Sequence, residues 1–438
     1  MSTNHTLGPI HLADGVQPRH VIAYLFAAFV SIGLFTYLVL LTPYVLKHNL
    51  GIEQENFGQV TGDIQFWQEI LVLCVIGWFG ALSDRWGRRR VYIIGFILMG
   101  VAYATYSFAT TLPELIAFRL IFALAIAANS AMLAAVVADY PAEQSRGKLA
   151  ATSMLLNGVG ATLFSGALGS LPDYFLPMAG DEIWAGRYAY LTVAGIAFFS
   201  AFVMLGLKPG LPANTLPKNG SVLSLMKEGL AAAKNGRIAV SYLGSFAARA
   251  DMSIITLFLI LWATIAGTNT GLSSAEATKI AGMKMGIVMA CSVFWAPVFG
   301  IMADKFDRLN LIIIGFLLAT LGYGWVATQA DILSSAAIPA LVLMGIGQSS
   351  TILSCTVLLG QESPAALRGS TFGMQSFFGA IGILMISLVG GRLFDNIGPF
   401  APFYAIASAN ALVCVVGLGV RMREIKIGRG YSAATQQK

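Results

Sequence analysis

The sequence predicts an all-α polytopic membrane protein with twelve transmembrane helices in two six-helix halves. Three observations predict it. The 438-residue chain is 57% hydrophobic and only 11% charged, with a mean hydropathy of +0.74. That is too apolar for a water-soluble globule to hide, so the lipid bilayer must be its solvent. Twelve apolar runs each approach the roughly 20 residues needed to cross a bilayer as a helix. Finally, a short polar stretch from Gly80 to Arg90 recurs in weaker form 220 positions later, so the chain is written twice.

Taken in order, the first six runs cover residues 21–46, 58–82, 91–110, 114–138, 150–171 and 188–207. The second six cover 238–266, 279–302, 311–329, 334–359, 370–393 and 401–421. Between the sets lies a polar segment with Pro209, Pro212, Pro217 and Gly220, which breaks the apolar pattern for long enough to separate two halves. The division is therefore an N-terminal half at 1–207, a cytoplasmic linker at 208–237, a C-terminal half at 238–421 and a cytoplasmic tail at 422–438. Within the linker, Ser221 to Lys234 has the pattern of a short amphipathic helix lying on the membrane surface.

Orientation follows from the basic residues. With the N-terminus in the cytoplasm, that side receives Arg19, the cluster from Arg85 to Arg90, Arg146, Lys148, the linker cations, Lys305, Arg308, Arg368 and the tail from Arg421. The other side keeps Lys47, Arg187, Lys279, Lys284 and Arg392. The bias places both termini in the cytoplasm, in a bacterial inner membrane. The formal charge of +6 is spread between apolar runs and not gathered in one basic domain, so nucleic acid is not an expected partner. Met1 to Gln17 lacks the basic start, apolar core and small-residue site of a cleaved signal peptide. Cys74, Cys291, Cys355 and Cys414 sit inside apolar runs without metal-ligand spacing. They are expected to be buried structural thiols, with no metal and no cofactor.

The stretch at Gly80 reads G-x-x-x-D-R-x-G-R-R through Gly80, Asp84, Arg85, Gly87, Arg88 and Arg89. It resembles the signature loop of the major facilitator superfamily. The later copy, through Gly300, Asp304, Lys305 and Arg308, carries Asp307 where the first has Gly87 and Leu309 where it has Arg89. Arg146-Gly147 likewise has a counterpart in Arg368-Gly369. The resemblance implies the major facilitator fold, with two similar six-helix halves. It also implies that the signature loop locks the halves in the outward-open state and releases them when the binding site faces inward. A plain positive-inside anchor is the alternative role for these arginines. Arg119-Leu120 in the fourth run resembles the superfamily's membrane arginine, although the following glycine of that motif is Ala123 here.

Five ionisable residues fall within apolar runs: Asp63, Glu69, Arg119, Arg249 and Asp251. A charge at a helix centre costs about 2.5 to 3.5 kcal/mol on insertion scales, so each is a candidate for substrate binding or proton coupling. At 1.5 Å per residue, Asp63 and Arg119 both stand about 30 Å above the cytoplasmic ends of their helices, which makes an ion pair between them a possibility beside simple solvation. Glu69 stands about 22 Å above Asp84, one turn past Gln65, and reads either as a proton carrier or as a carboxyl hydrogen-bonded to polar neighbours. Arg249 and Asp251 lie two residues apart and cannot share a helix face, unless the helix is unwound around Ala247 to Ala250. Asn129, Gln348, Gln375, Tyr37, Trp67, Trp262 and Trp295 are further polar or aromatic residues in the spans. Gly158, Gly160, Gly166 and Gly169 in the fifth helix resemble the superfamily's glycine-rich antiporter motif without its central proline. Small residues at such spacing also make helix-packing faces.

No H-E-x-x-H, G-x-S-x-G or phosphate-loop motif is present, so an enzyme is not expected. The expectation is a monomeric secondary transporter that moves a small organic solute by alternating access, coupled to protons and leaning to an anionic metabolite because of the two membrane arginines. A proton-driven multidrug efflux antiporter is the second reading, and a transport-inactive membrane receptor a remote third.

Overall fold

The computed structural model describes residues 6–142, 145–210, 222–364 and 367–426, without the side chains of 146, 222–225, 304, 368 and 369. In chain order the helices are α1 (Pro18–Leu40), α2 (Thr42–His48), α3 (Phe57–Trp86), α4 (Arg88–Tyr106), α5 (Leu112–Asp139), α6 (Arg146–Gly166), α7 (Leu171–Ala179) and α8 (Glu182–Val203). They continue as α9 (Val222–Ala231), α10 (Gly236–Ser253), α11 (Ile260–Asn269), α12 (Ser274–Lys305), α13 (Arg308–Ala327), α14 (Ile338–Glu362), α15 (Arg368–Asn396) and α16 (Ala401–Lys426). Eleven stretches of the described chain are long and apolar enough to cross a membrane, from Pro18–His48 to Ala401–Lys426. The third of the twelve expected spans is α4, which opens on Arg88, Arg89 and Arg90 and has a shorter apolar length.

The helices form where the sequence gives them boundaries. Thr111 caps α5 by accepting from the backbone N–H of Glu114, while Pro113 sits in its first turn, where a missing N–H costs nothing. Asp181 caps α8 through the N–H of Trp184 at 2.7 Å. Asp307 caps α13 through Leu309 and Asn310. Between α3 and α4 the chain turns on Gly87, whose φ is +90° and where a Cβ would strike the carbonyl oxygen of Gly210. Only glycine fits that turn. Between α10 and α11 the helix passes through a π-helical turn at Ile254–Leu259.

The chain divides into two compact units. The first contains Met1–Pro217 and Thr256–Ala290, and the second Lys218–Ile255 and Cys291–Lys438. The stretch from Thr256 to Ala290, which sequence assigns to the C-terminal half, thus groups with the first unit. In that unit α1 lies against α6 at backbone contact: a Cβ on Gly160 would strike the carbonyl of Phe29, and one on Gly33 would meet the Phe164 ring. Gly282 of α12 lies equally close to the Ser165 carbonyl of α6. The second unit is built around Val240, Ala247, Leu309, Ile312, Phe316, Leu358 and Val413. Here Gly382 of α15 abuts the carbonyl of Phe246 on α10. In lipid, where burial of apolar surface gives no net drive, such close small-residue contacts hold helices together.

Two smaller features flank the spans, the second of them the short linker helix expected within Ser221 to Lys234. The segment before α1 forms a short antiparallel ribbon, Thr6–Leu7 with Ile10–His11, and bridges onward from Leu12 to Pro141. The linker holds α9, which packs on α15, with Tyr242 of α10 donating to the Gly229 carbonyl at 2.8 Å. Linker residues 211–221 and tail residues 427–438 lie outside the described residues. Of the cysteines, Cys355 and Cys414 are buried and Cys291 is half-buried, but Cys74 of α3 is exposed. An apolar run in a membrane protein faces lipid as readily as core, so burial could not be read from apolar neighbours.

Candidate functional site

Asp251 is fully enclosed in the second unit, with 0% exposure. Its Oδ1 accepts from Asn410 Nδ2 at 2.8 Å and its Oδ2 from Thr351 Oγ1 at 3.2 Å. Its own backbone carbonyl accepts from the Tyr323 hydroxyl at 3.0 Å. Four helices, α10, α13, α14 and α16, therefore meet at one residue. Thr351 shares its single proton between Asp251 and the Gln348 carbonyl at 2.9 Å, and Asn410 Oδ1 is buried without a hydrogen-bond partner. A change in the charge of this carboxyl acts on all four helices at once, because a low-dielectric interior screens it poorly.

Arg249 points elsewhere. It is exposed, and its stem crosses Gly379 of α15, where a Cβ would come within 2.6 Å of Arg249 Cγ. Among the described residues it makes no ion pair or hydrogen bond. The helix is not unwound at Ala247 to Ala250: α10 runs unbroken to Ser253, and the irregular turn comes after Asp251. Nearby on α12 and α14, Ser292 donates to Gln348 Oε1 at 2.9 Å and Trp295 Nε1 to Ser350 Oγ at 2.9 Å.

In the first unit Arg119 is enclosed on α5, 2% exposed. Its Nη2 donates to Gln65 Oε1 of α3 at 3.1 Å, and its guanidinium lies over the rings of Phe122 at 5.3 Å and Tyr106 at 6.0 Å. The ion pair with Asp63 is not formed. Positions 63 and 65 are about 200° apart around a helix, so the face that brings Gln65 to α5 turns Asp63 away from it. Asp63 and Glu69 are both half-buried on α3.

At the junction of α3 and α4 in the first unit, Arg88 is held by Asp84 at 2.6 Å and by Asp139 at 2.9 Å, and it also donates to Ser83 Oγ. Ser83 in turn donates to the Gly80 carbonyl at 2.6 Å. The signature loop thus ties α3, α4 and the end of α5 together. Arg85 is exposed and Arg89 half-buried. In the second loop Gly300 and Lys305 are exposed and Arg308 is half-buried, while the Asp304 side chain lies outside those described.

The sequence profile of the Major Facilitator Superfamily matches residues 23–275 and 241–433. The chain belongs to the major facilitator superfamily. Among its relatives is the magnetosome protein MamH of Paramagnetospirillum magneticum, 27% identical over 423 residues and covering 95% of both chains. Its fold is similar to that of a mutant form of the nucleoside transporter NupG, with a TM-score of 0.73 at 15% identity over 91% of this chain and 99% of that one. A D-xylose-proton symporter is similar at a TM-score of 0.69 and 19% identity, over 91% and 97%. As a superfamily member the chain is an integral membrane transporter and not an enzyme.

Two groups that matter to this major facilitator were not singled out in the sequence. Arg237, counted only as a linker cation, is the centre of a cluster at the start of α10. Its Nε and Nη2 donate to both oxygens of Glu424 at 2.7 and 2.9 Å, its Nη1 to Glu362 at 3.3 Å, and its Nη2 also to Asp307 at 3.3 Å. The departure at Asp307 from the superfamily's glycine thus supplies both a helix cap and an acid. The available signal was three acids at the ends of three helices of one half. Lys284, assigned to the outer surface, is instead 7% exposed. It stands nearly three turns inside α12, because that helix starts at Ser274, ahead of the apolar run.

Proposed function

We propose that this transporter moves a small organic anion and couples it to protons by alternating access. The observation that carries the reading is the seat of Asp251, a carboxyl enclosed by four helices and held only by neutral groups. A group so placed converts gain or loss of a proton into a change of helix packing, which is what coupling needs. Glu69 and Asp63 are the other carboxyls in the spans. Arg249, exposed and without an ion-pair partner among the described residues, is the cationic contact for the substrate's anionic group, and buried Lys284 adds positive charge within a span. The fold shared with a xylose-proton symporter supports proton coupling, and both termini are taken as cytoplasmic. The Asp84, Arg88 and Asp139 triad serves as the cytoplasmic gate of a monomer. Gly160 of α6 is accounted for by its close approach to Phe29, a packing role.

The test is transport into liposomes by purified protein. Organic anions should drive proton flux where lipophilic cations do not. Asp251→Asn and Glu69→Gln should lose uphill uptake while keeping some exchange, and Arg249→Ala should weaken affinity for the anion. Undiminished pH-driven uptake in both carboxyl variants would remove them from coupling, and flux stimulated by cations alone would turn the reading to efflux.

A further inference from the structure

Arg119 poses a problem of charge that its protein neighbours do not solve. A guanidinium has five N–H donors and no acceptor. One nitrogen, Nη2, reaches Gln65, but Nε and Nη1 are buried without a hydrogen-bond partner. Among the described residues no acid pairs with it. Beyond Tyr106 the rings continue: Tyr106 to Tyr190 at 5.7 Å, Tyr190 to Tyr103 at 6.0 Å and Tyr103 to Tyr37 at 6.3 Å. Tyr103 gives its hydroxyl to the Leu34 carbonyl, the hydroxyls of Tyr37 and Tyr190 are buried without a hydrogen-bond partner, and that of Tyr106 is buried beside the Arg119 guanidinium without a well-formed hydrogen bond. An enclosed positive charge thus lies over two ring faces, with buried tyrosine hydroxyls able to donate hydrogen bonds in the same aromatic cluster.

We propose that the buried donors of Arg119 bind a small monovalent inorganic anion, of the chloride or nitrate kind, against Nε and Nη1. Cation–π contact with Phe122 and Tyr106 offsets part of the cost of burying the charge but leaves those N–H groups bare. Water would satisfy the donors without neutralising the charge. A single negative charge balances the site, whereas sulfate or phosphate would exchange one uncompensated charge for another. The sealed, ring-lined surroundings favour weakly hydrated anions, which lose less on leaving water. The inference does not rest on the transport reading, because the anion compensates a buried charge whatever the cargo is.

The experiment is thermal unfolding of the purified full chain in detergent at constant ionic strength, with chloride, bromide, nitrate, sulfate or gluconate as the sodium salt. Chloride, bromide and nitrate should raise Tm by several degrees over gluconate in a saturable way, and sulfate should not. Arg119→Gln should abolish the difference. In case that variant does not fold, Tyr106→Phe and Tyr190→Phe keep the guanidinium, and each should weaken the half-saturating concentration about tenfold. Crystals grown in bromide should show an anomalous peak beside Arg119. Equal Tm in chloride and gluconate at every concentration would overturn the proposal. So would an anion effect unchanged in all three variants, or a bromide peak elsewhere with none at Arg119.

Discussion

Arg119 and Arg237 are the same side chain in two opposite settings. Arg237, at the start of α10 in the second unit, has every arm of its fork on a carboxylate: Glu424 in bidentate fashion, with Glu362 and Asp307 beside it. Arg119, inside the first unit, has one amide oxygen and two aromatic rings. The difference shows that where water is near the chain gathers charges into networks, and where it is excluded the chain uses neutral partners. Asp251 follows the second rule with the opposite sign, held by an amide and a hydroxyl.

This contrast can be broken most decisively at Arg237. Arg237→Ala would leave three acids with only Arg421, 3.6 Å from Glu424, to offset them, and should destabilise the protein by about 3 kcal/mol. Thermal unfolding in detergent measures it, and a loss below about 1 kcal/mol would show the network to be ornamental in the sense of most surface ion pairs. The next effect is at the neutral seat. Asn410→Leu removes one of the two side-chain donors from Asp251 and should cost about 2 kcal/mol. A smaller loss at acidic pH than at neutral pH would sharpen the point, since a protonated carboxyl no longer needs the amide donor. The smallest effect should be at Arg119. In gluconate, Arg119→Met should unfold within about 1 kcal/mol of the parent or above it, because an apolar chain relieves an unpaired buried charge. A large loss in gluconate would mean that Gln65 and the rings already compensate the guanidinium.

Much of the architecture was legible because the bilayer dictates it. Runs such as 21–46 and 401–421 have to be helices, since no other open-chain structure satisfies its own backbone in lipid. The loop at Gly80 to Arg89 was legible because Gly87 occupies a turn that only glycine can make. The pairings were not. Arg119 meets Gln65 across 54 positions, Asp251 meets Asn410 across 159, and Arg237 meets Glu424 across 187. Spacing along one helix gives depth and relative azimuth, but not which neighbouring helix a face will meet. Depth alone therefore suggested Asp63 for Arg119, whereas azimuth selected Gln65. The same limit hid Lys284, whose helix begins before its apolar run does.

The π-helical turn at Ile254–Leu259 has a consequence for rotation. A wider turn takes up about one residue more than an α-helical turn, and one residue is about 100° of helical phase. The face that carries Asp251 into the interior of α10 therefore does not continue as the same face along α11, and a single helical wheel drawn from Tyr242 to Trp262 misplaces every residue beyond Leu259. The passage from the second compact unit to the first, between Ile255 and Thr256, falls inside this turn. Deleting one residue there would restore the regular pitch and leave Trp262 and its neighbours on the faces they now occupy, whereas regular pitch with every residue kept would swing them by about 100°.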